Sequence, residues 1–403
     1  MTVGKELLSD RVQNMAESAT IAMAQLAREL VSQGIDIVSL SLGEPDFETP
    51  KYINDSATKA MEDGFTHYPP VAGYPDLRQA IAHKLQRDNA IECTADNIVV
   101  STGAKQSIAN TILSLINPGD EVIILAPYWV SYKDIVEFAK GVPVLVQGSI
   151  ENDFKATAAD IQKAISPRTK AVMFSSPSNP AGSLFSEEEL KEIIKVVPEN
   201  ILFIADEIYE YINYVGGHVS IGALEGAKER TITINGFSKG FAMTGWRIGY
   251  ICAPVWFAKA TTKIQGQFTS GANTIAQKAA LEAYQNLEQF KLETERMLAA
   301  YKKRKDLILK LVREIPSIDV REPQGAFYIF PDVSAYLGKT TKEGKVIKDT
   351  LDLSLHLLNS AHVSMVTGKA FGAENNLRIS FATSEEQIIE GIRRMKNCLL
   401  ELK

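Results

Sequence analysis

Lys239 stands in the run Gly236-Phe237-Ser238-Lys239-Gly240-Phe241-Ala242-Met243-Thr244-Gly245-Trp246-Arg247, between small and aromatic residues and in a segment poor in acids. A partly desolvated lysine has a lowered pKa and can form an imine and then act as a base. Taken alone, it is more simply a surface lysine on a glycine-rich turn. Asp206 closes the apolar run Ile201–Ala205, where an unpaired carboxylate is costly, so a cationic partner is expected. A protonated ring nitrogen would serve, as would an arginine or lysine, or the residue could cap a helix. In Ser101-Thr102-Gly103-Ala104-Lys105-Gln106, small residues lie between an apolar run and a helical pattern through Ile108 and Ile112. That puts free N–H groups at a helix N-terminus, a seat for phosphate, although an ordinary strand-to-helix loop uses the same residues. Ser238 and Arg247 could add a hydroxyl and a charge to one anion. The fourth polar cluster is Ser175-Ser176-Pro177-Ser178-Asn179-Pro180-Ala181-Gly182.

All four clusters follow apolar runs, and in a parallel α/β sheet ligands sit beyond the carboxyl ends of the strands. The runs Asn97–Val100, Glu121–Leu125, Ala171–Phe174 and Ile201–Ile204 are too short for helices and apolar on both faces, as buried parallel strands are. Between them come helix signals: Ser186 with Glu189 forms a capping box ahead of Leu190, Ile193 and Ile194. Alternation over residues 45–290 predicts a large α/β domain with a mainly parallel sheet covered by helices. No Gly or Pro occurs from Ala283 to Ile315, where Leu287, Phe290, Met297, Leu298, Tyr301, Leu307, Ile308 and Leu311 recur at helical spacing. This predicts one long helix or two end to end. Beyond it the pattern predicts an apolar run at Phe327–Phe330, a helix near 346–361 and a strand at Leu377–Ser380. A last helix follows, capped by Ser384 with Gln387, with Ile388, Ile392, Met395 and Leu399 on one face. Residues 291–403 thus read as a smaller α+β domain.

A chain of 403 residues suits two such domains, and 45% hydrophobic with 23% charged residues suits a globular protein. The net charge of −6 excludes a diffuse positive field for nucleic acid or anionic lipid, so any anion site is local. Cys93, Cys252 and Cys398 form no paired motif, which points to a reducing, cytoplasmic setting. There is no signal-like start and no span of some 18 apolar residues. The five histidines show no ligand spacing, so no metal is expected.

Weak singly, these clusters are specific in this order. The chain resembles the class I aminotransferases of the fold type I pyridoxal-phosphate superfamily, and within them the aspartate aminotransferase subgroup common in bacteria. The likeness runs from Gly43-Glu44-Pro45-Asp46-Phe47 to Leu377-Arg378-Ile379-Ser380-Phe381-Ala382-Thr383-Ser384. It is carried by Ala126-Pro127-Tyr128-Trp129-Val130-Ser131-Tyr132, Asn179-Pro180, Asp206-Glu207-Ile208-Tyr209 and the segment from Lys239 through Trp246-Arg247.

The resemblance implies the fold type I architecture, with residues 1–44 joining 291–403, and pyridoxal 5'-phosphate as cofactor. It makes Lys239 the cofactor's covalent partner and proton carrier, Asp206 the partner of the pyridinium nitrogen, Asn179 and Tyr209 donors to the ring's phenolic oxygen, and Trp129 the ring's stacking partner. The phosphate would meet the backbone at Ala104 and Lys105, the side chains of Ser238 and Arg247, and Tyr68 from a second subunit of a homodimer. Arg378 would take the α-carboxylate with the backbone of Gly43. Lys105 and Thr20 would read a distal carboxylate, which implies L-aspartate and 2-oxoglutarate as substrates in a ping-pong reaction. Some relatives also use prephenate, aromatic or neutral amino acids, and others on this fold are β-lyases. The chain departs from the usual pattern at Ala16-Glu17-Ser18-Ala19-Thr20, where Glu17 adds a negative charge near the substrate entrance. It also departs at Gly236, where distant relatives carry a phosphate-binding serine, and at Ser176-Pro177-Ser178-Asn179.

Overall fold

The first strand, β1 (Val38–Ser39), stays outside the main sheet, which is built from the next seven: β2 (Ile98–Ser101), β3 (Glu121–Ala126), β4 (Val142–Gln147), β5 (Thr169–Ser175), β6 (Leu202–Asp206), β7 (Thr231–Gly236) and β8 (Gly249–Cys252). The computed structural model describes residues 7–15 and 18–403. The strand order is β2-β8-β7-β6-β5-β3-β4. Every residue of β2, β3, β6, β7 and β8 is buried, as a sheet covered on both faces requires. At the edge, β4 is largely exposed and carries Pro143, where a missing donor is tolerated.

The run at 97–100 is expected as a parallel strand, but among the described residues the sole sheet neighbour of β2 is β8, which runs antiparallel to it, with Ile98 opposite Cys252. Asn97 also falls outside the strand, because its side chain accepts from Thr94 N at 3.0 Å and closes a short 3₁₀ turn.

Register then assembles the site. Ser175 pairs with Asp206, which pairs with Ile234, while Gly236 and Ser101 both oppose Gly249. The carboxyl ends of β2, β5, β6 and β7 therefore share one rim. Gly236 has a packing reason in place of the serine of distant relatives: a Cβ there would stand 2.8 Å from Gly249 Cα and 2.9 Å from Ile248 O.

The expected capping box is present in both directions, and the helix Glu187–Val196 buries Leu190 and Ile193. The stretch 283–315 is two helices end to end, Thr274–Gln285 and Leu287–Arg313, parted at Asn286, whose side chain accepts from Gln289 N. The second helix buries Met297, Tyr301, Lys305, Ile308 and Val312. Leu287, counted into that stripe from the sequence, is its first residue and 47% exposed. The helix placed near 346–361 starts at Thr350, because the Asp349 side chain caps it by accepting from Leu351 N and Asp352 N, a cap typically worth about 1 kcal/mol.

Strand β9 (Tyr328–Ile329) lies beside β12 (Leu377–Ser380), which also pairs with β11 (Val366–Thr367), all antiparallel. Strand β1 pairs in parallel with β10 (Val363–Ser364), and Met23 and Ala27 of the helix Ala19–Ser32 pack with Leu358. The core of this C-terminal part takes in Ile208, Tyr209 and Ile212 from just beyond β6. The site lies on that seam. The last helix, Glu385–Leu400, is capped by Ser384 and buries Ile388, Ile392, Met395 and Leu399.

Candidate active site

A cavity of about 570 Å³ opens at the shared strand rim. It is lined by Thr20, Gly43, Ala104, Lys105, Trp129, Asn179, Asp206, Tyr209, Ser238, Lys239, Arg247 and Arg378, together with Tyr132 and Tyr328. Of the candidate residues from the sequence only Tyr68 lies elsewhere, 91% exposed on this chain. Glu17 falls outside the described residues.

Lys239 donates to the carbonyl of Gly43. Burial pushes its amine down to about 8, and the neighbouring Arg378 charge adds to the fall. Asp206 has no ion-pair partner among the described residues. Its carboxylate accepts from the Tyr132 hydroxyl at 2.7 Å and from Ile208 N at 3.2 Å. Burial raises it to about 6, against those donors. A buried carboxylate held only by neutral donors still calls for a cation.

The helix Ala104–Leu115 starts at Gly103, which sits at φ +81° and offers no capping side chain. Gln106 N and Ser107 N donate to Gly103 O, whereas the N–H groups of Ala104 and Lys105, which line the cavity, have no acceptor among the described residues. Gly103 is favoured by its positive φ, and a Cβ there would also displace the Arg247 guanidinium that packs against it. Arg247 itself is held at φ +56° and donates to Thr244 O at 2.7 Å. A guanidinium placed against the positive end of a helix is unfavourable unless an anion lies between them. Ser238, buried, lines the same corner.

Arg378 is 2% exposed. It donates to Asn179 Oδ1 at 3.1 Å and to Ser41 O at 2.7 Å, and its Nε has no protein partner. Arg378 lines the cavity and has no carboxylate partner among the described residues; a buried guanidinium bonded only to neutral acceptors marks a place for a carboxylate. Lys105 lies 4.9 Å from the Trp129 ring centre, and its amine is lowered by burial and by Arg247.

Neither Tyr132 nor Tyr328 was singled out from the sequence: Tyr132 closes the motif Ala126–Tyr132 without a role of its own, and Tyr328 reads as part of an apolar run. The available signal was chemical: a buried tyrosine hydroxyl needs a partner, and Asp206 needed a donor.

Glu207, Glu210 and His218 bring potential ligand atoms within 4.8 Å of one another. Lys84 pairs with Glu210, Ser220 donates to Glu207 at 2.6 Å, and Asn89 and Asn235 donate to Glu210 at 2.7 and 2.8 Å. The carboxylates are thus already satisfied, and the group is a buried ion network beneath Asp206 and Tyr209, their chain neighbours. Lys84→Met is expected to cost about 3–5 kcal/mol by stranding Glu210, read as a lower urea midpoint.

The aminotransferase class I and II family profile matches residues 35–395. A protein named probable aspartate/prephenate aminotransferase from Rhizobium leguminosarum bv. phaseoli is 43% identical, covering 96% of this chain and 98% of that one. An aspartate aminotransferase from Bacillus sp. YM-2 is also 43% identical, covering 97% and 98%. The solved structure of the Thermus thermophilus aspartate aminotransferase with maleate superposes with a TM-score of 0.92 at 40% identity, covering 97% of this chain and 99% of that one.

Proposed function

The chain belongs to the class I and II aminotransferase family, and on that premise we propose that it moves the amino group of L-aspartate to 2-oxoglutarate with pyridoxal 5'-phosphate. The observation that carries this reading is one cavity holding a low-pKa lysine, a buried carboxylate without a cation, an uncapped helix N-terminus facing an arginine, and a buried arginine bonded only to neutral acceptors. These groups fit the cofactor. When bound, it supplies an electron sink next to the substrate's α-carbon and carries the amino group between the two half-reactions.

Lys239 would attach the cofactor and, once released, move the proton at the α-carbon; in the cofactor-free site its pKa of about 8 leaves a usable share of neutral amine for attachment near neutral pH. Asp206 would pair with the ring nitrogen and favour its protonated form, with Tyr132 fixing the carboxylate. Asn179 and Tyr209 serve the ring's phenolic oxygen, and Trp129 its face. The N–H groups of Ala104 and Lys105, with Ser238 and Arg247, take the phosphate. Arg378 grips the α-carboxylate with the backbone of Gly43, and Lys105 with Thr20 takes the distal one. In this reading residues 45–290 carry the cofactor, while 1–44 and 291–403 bring Arg378 and Thr20 to it. The enzyme works as a homodimer in which Tyr68 completes the partner's phosphate site, a role its exposure on the single chain supports. Its three free thiols suit the reducing cytoplasm, and no described helix is long and apolar enough to cross a membrane.

Initial rates of oxaloacetate formation over a grid of L-aspartate and 2-oxoglutarate test the reading. Parallel double-reciprocal lines support it, and intersecting lines or no turnover oppose it. Prephenate is the second acceptor to try, since the Rhizobium relative carries it in its name. Lys105→Ala is expected to lower kcat/KM for L-aspartate about 10–100-fold, the worth of one charge-assisted hydrogen bond, and to leave L-phenylalanine nearly unchanged. Capture of the cofactor by cofactor-free protein is expected to speed up as pH rises through about 8 and then level off, because only the neutral amine attacks. Stopped-flow absorbance measures this.

A further inference from the structure

Tyr328 holds three groups of the site at once. Its hydroxyl is 2.8 Å from that of Tyr209. Its ring lies 4.4 Å from the Arg378 guanidinium carbon. Its oxygen is 2.8 Å from where a side chain on Gly43 would begin, so it abuts the loop whose carbonyl receives Lys239. The residue is wholly buried, and the pairing of β9 with β12 sets it opposite Ser380, two positions from Arg378.

A phenol has one proton to donate. If Tyr209 gives its proton to the cofactor's phenolic oxygen, it can only accept from Tyr328, and a hydroxyl that accepts becomes a stronger donor. The Arg378 plane is set by its bonds to Asn179 and Ser41 and by the Tyr328 face. We propose that Tyr328 is a positioning residue with two arms: its hydroxyl orients and strengthens Tyr209 as a donor, and its ring holds Arg378 flat for the substrate's α-carboxylate. The first arm rests on the role proposed above for Tyr209.

The test uses cofactor-loaded protein and the pH midpoint of the cofactor's visible band. A phenolic oxygen with a weaker donor keeps more negative charge and holds the neighbouring proton more tightly, so the midpoint rises. Tyr328→Phe is expected to raise it by about half a pH unit, Tyr209→Phe to raise it further, and the double variant to match Tyr209→Phe alone. For the second arm, maleate affinity read by tryptophan fluorescence is expected to stay within about threefold in Tyr328→Phe and to fall about tenfold in Tyr328→Leu. Circular dichroism checks that both variants keep the fold. Equal shifts by Tyr328→Phe in the native and Tyr209→Phe backgrounds overturn the coupling, as does no shift where Tyr209→Phe gives one. A midpoint that Tyr209→Phe leaves unmoved removes the role of Tyr209 and the first arm with it. Undiminished maleate affinity in Tyr328→Leu overturns the second arm.

Discussion

Lys239→Ala is expected to lower kcat by at least about 10⁴-fold, the upper end of what a positioned acid–base group contributes, because the same amine both attaches the cofactor and moves the proton. The fold should survive. The amine makes one hydrogen bond, to Gly43 O, and its depressed pKa shows that the site disfavours its charge, so stability should change by about 1 kcal/mol or less. Lys239→Arg sharpens the test. Arginine keeps the positive charge but cannot give up its proton near neutral pH, so a charge-only role would preserve activity and the proposed role would not. Steady-state kcat with a urea melt of each variant separates loss of chemistry from loss of structure.

Asp206→Asn is expected to act in opposite directions on function and on stability. The amide is nearly the same size and can still accept from Tyr132. It cannot keep a ring nitrogen protonated, so kcat should fall about 10²–10³-fold, the cost of removing one well-placed electrostatic group. In the cofactor-free protein the carboxyl is raised to about 6 by burial. The folded state therefore binds its proton more tightly than the unfolded chain does. On this group's account stability is fullest below the ordinary carboxyl range and falls as pH rises toward about 6, where it levels off. At pH 7 the asparagine variant, free of that cost, should show a higher urea midpoint than the native cofactor-free protein. Bound cofactor should reverse the order, since only aspartate gains a cationic partner. Urea melts of both proteins, each with and without pyridoxal 5'-phosphate, measure all four values.

The groups that were legible in the sequence are those whose cost shows without a partner. Asp206 ends an apolar strand, so it demanded a counterpart, whereas Arg378 alternates with apolar neighbours as in a half-buried strand and only the structure, which buries every residue of β12, shows that it needs one. Gly103 and Ala104 stood where a strand hands over to a helix. Tyr132 and Tyr328 were not legible: Tyr132 stood in a motif that gave it no role, and Tyr328, a tyrosine inside an apolar run, looks like core. Their hydroxyls acquire meaning only when register brings them to Asp206 and Tyr209. The antiparallel pairing of β2 was hidden for a related reason: β8, the reversed strand, is as fully buried as β2 and β7, between which it runs antiparallel. At 346–361 the apolar spacing ran past the true start, and Asp349, a strong cap, marked it better than the hydrophobic period did. The network around Lys84, Glu207 and Glu210 draws on four separated segments, and no local pattern announces it.

The most direct test of the central claim is the visible spectrum of the cofactor-loaded protein, recorded alone, after L-aspartate, and again after 2-oxoglutarate. The cofactor's visible band should give way on adding L-aspartate and return on adding 2-oxoglutarate, which separates the two half-reactions in one cuvette. A band that L-aspartate leaves untouched contradicts the assignment of a dicarboxylic donor, and a fully reconstituted protein with no such band contradicts the account of Lys239 itself.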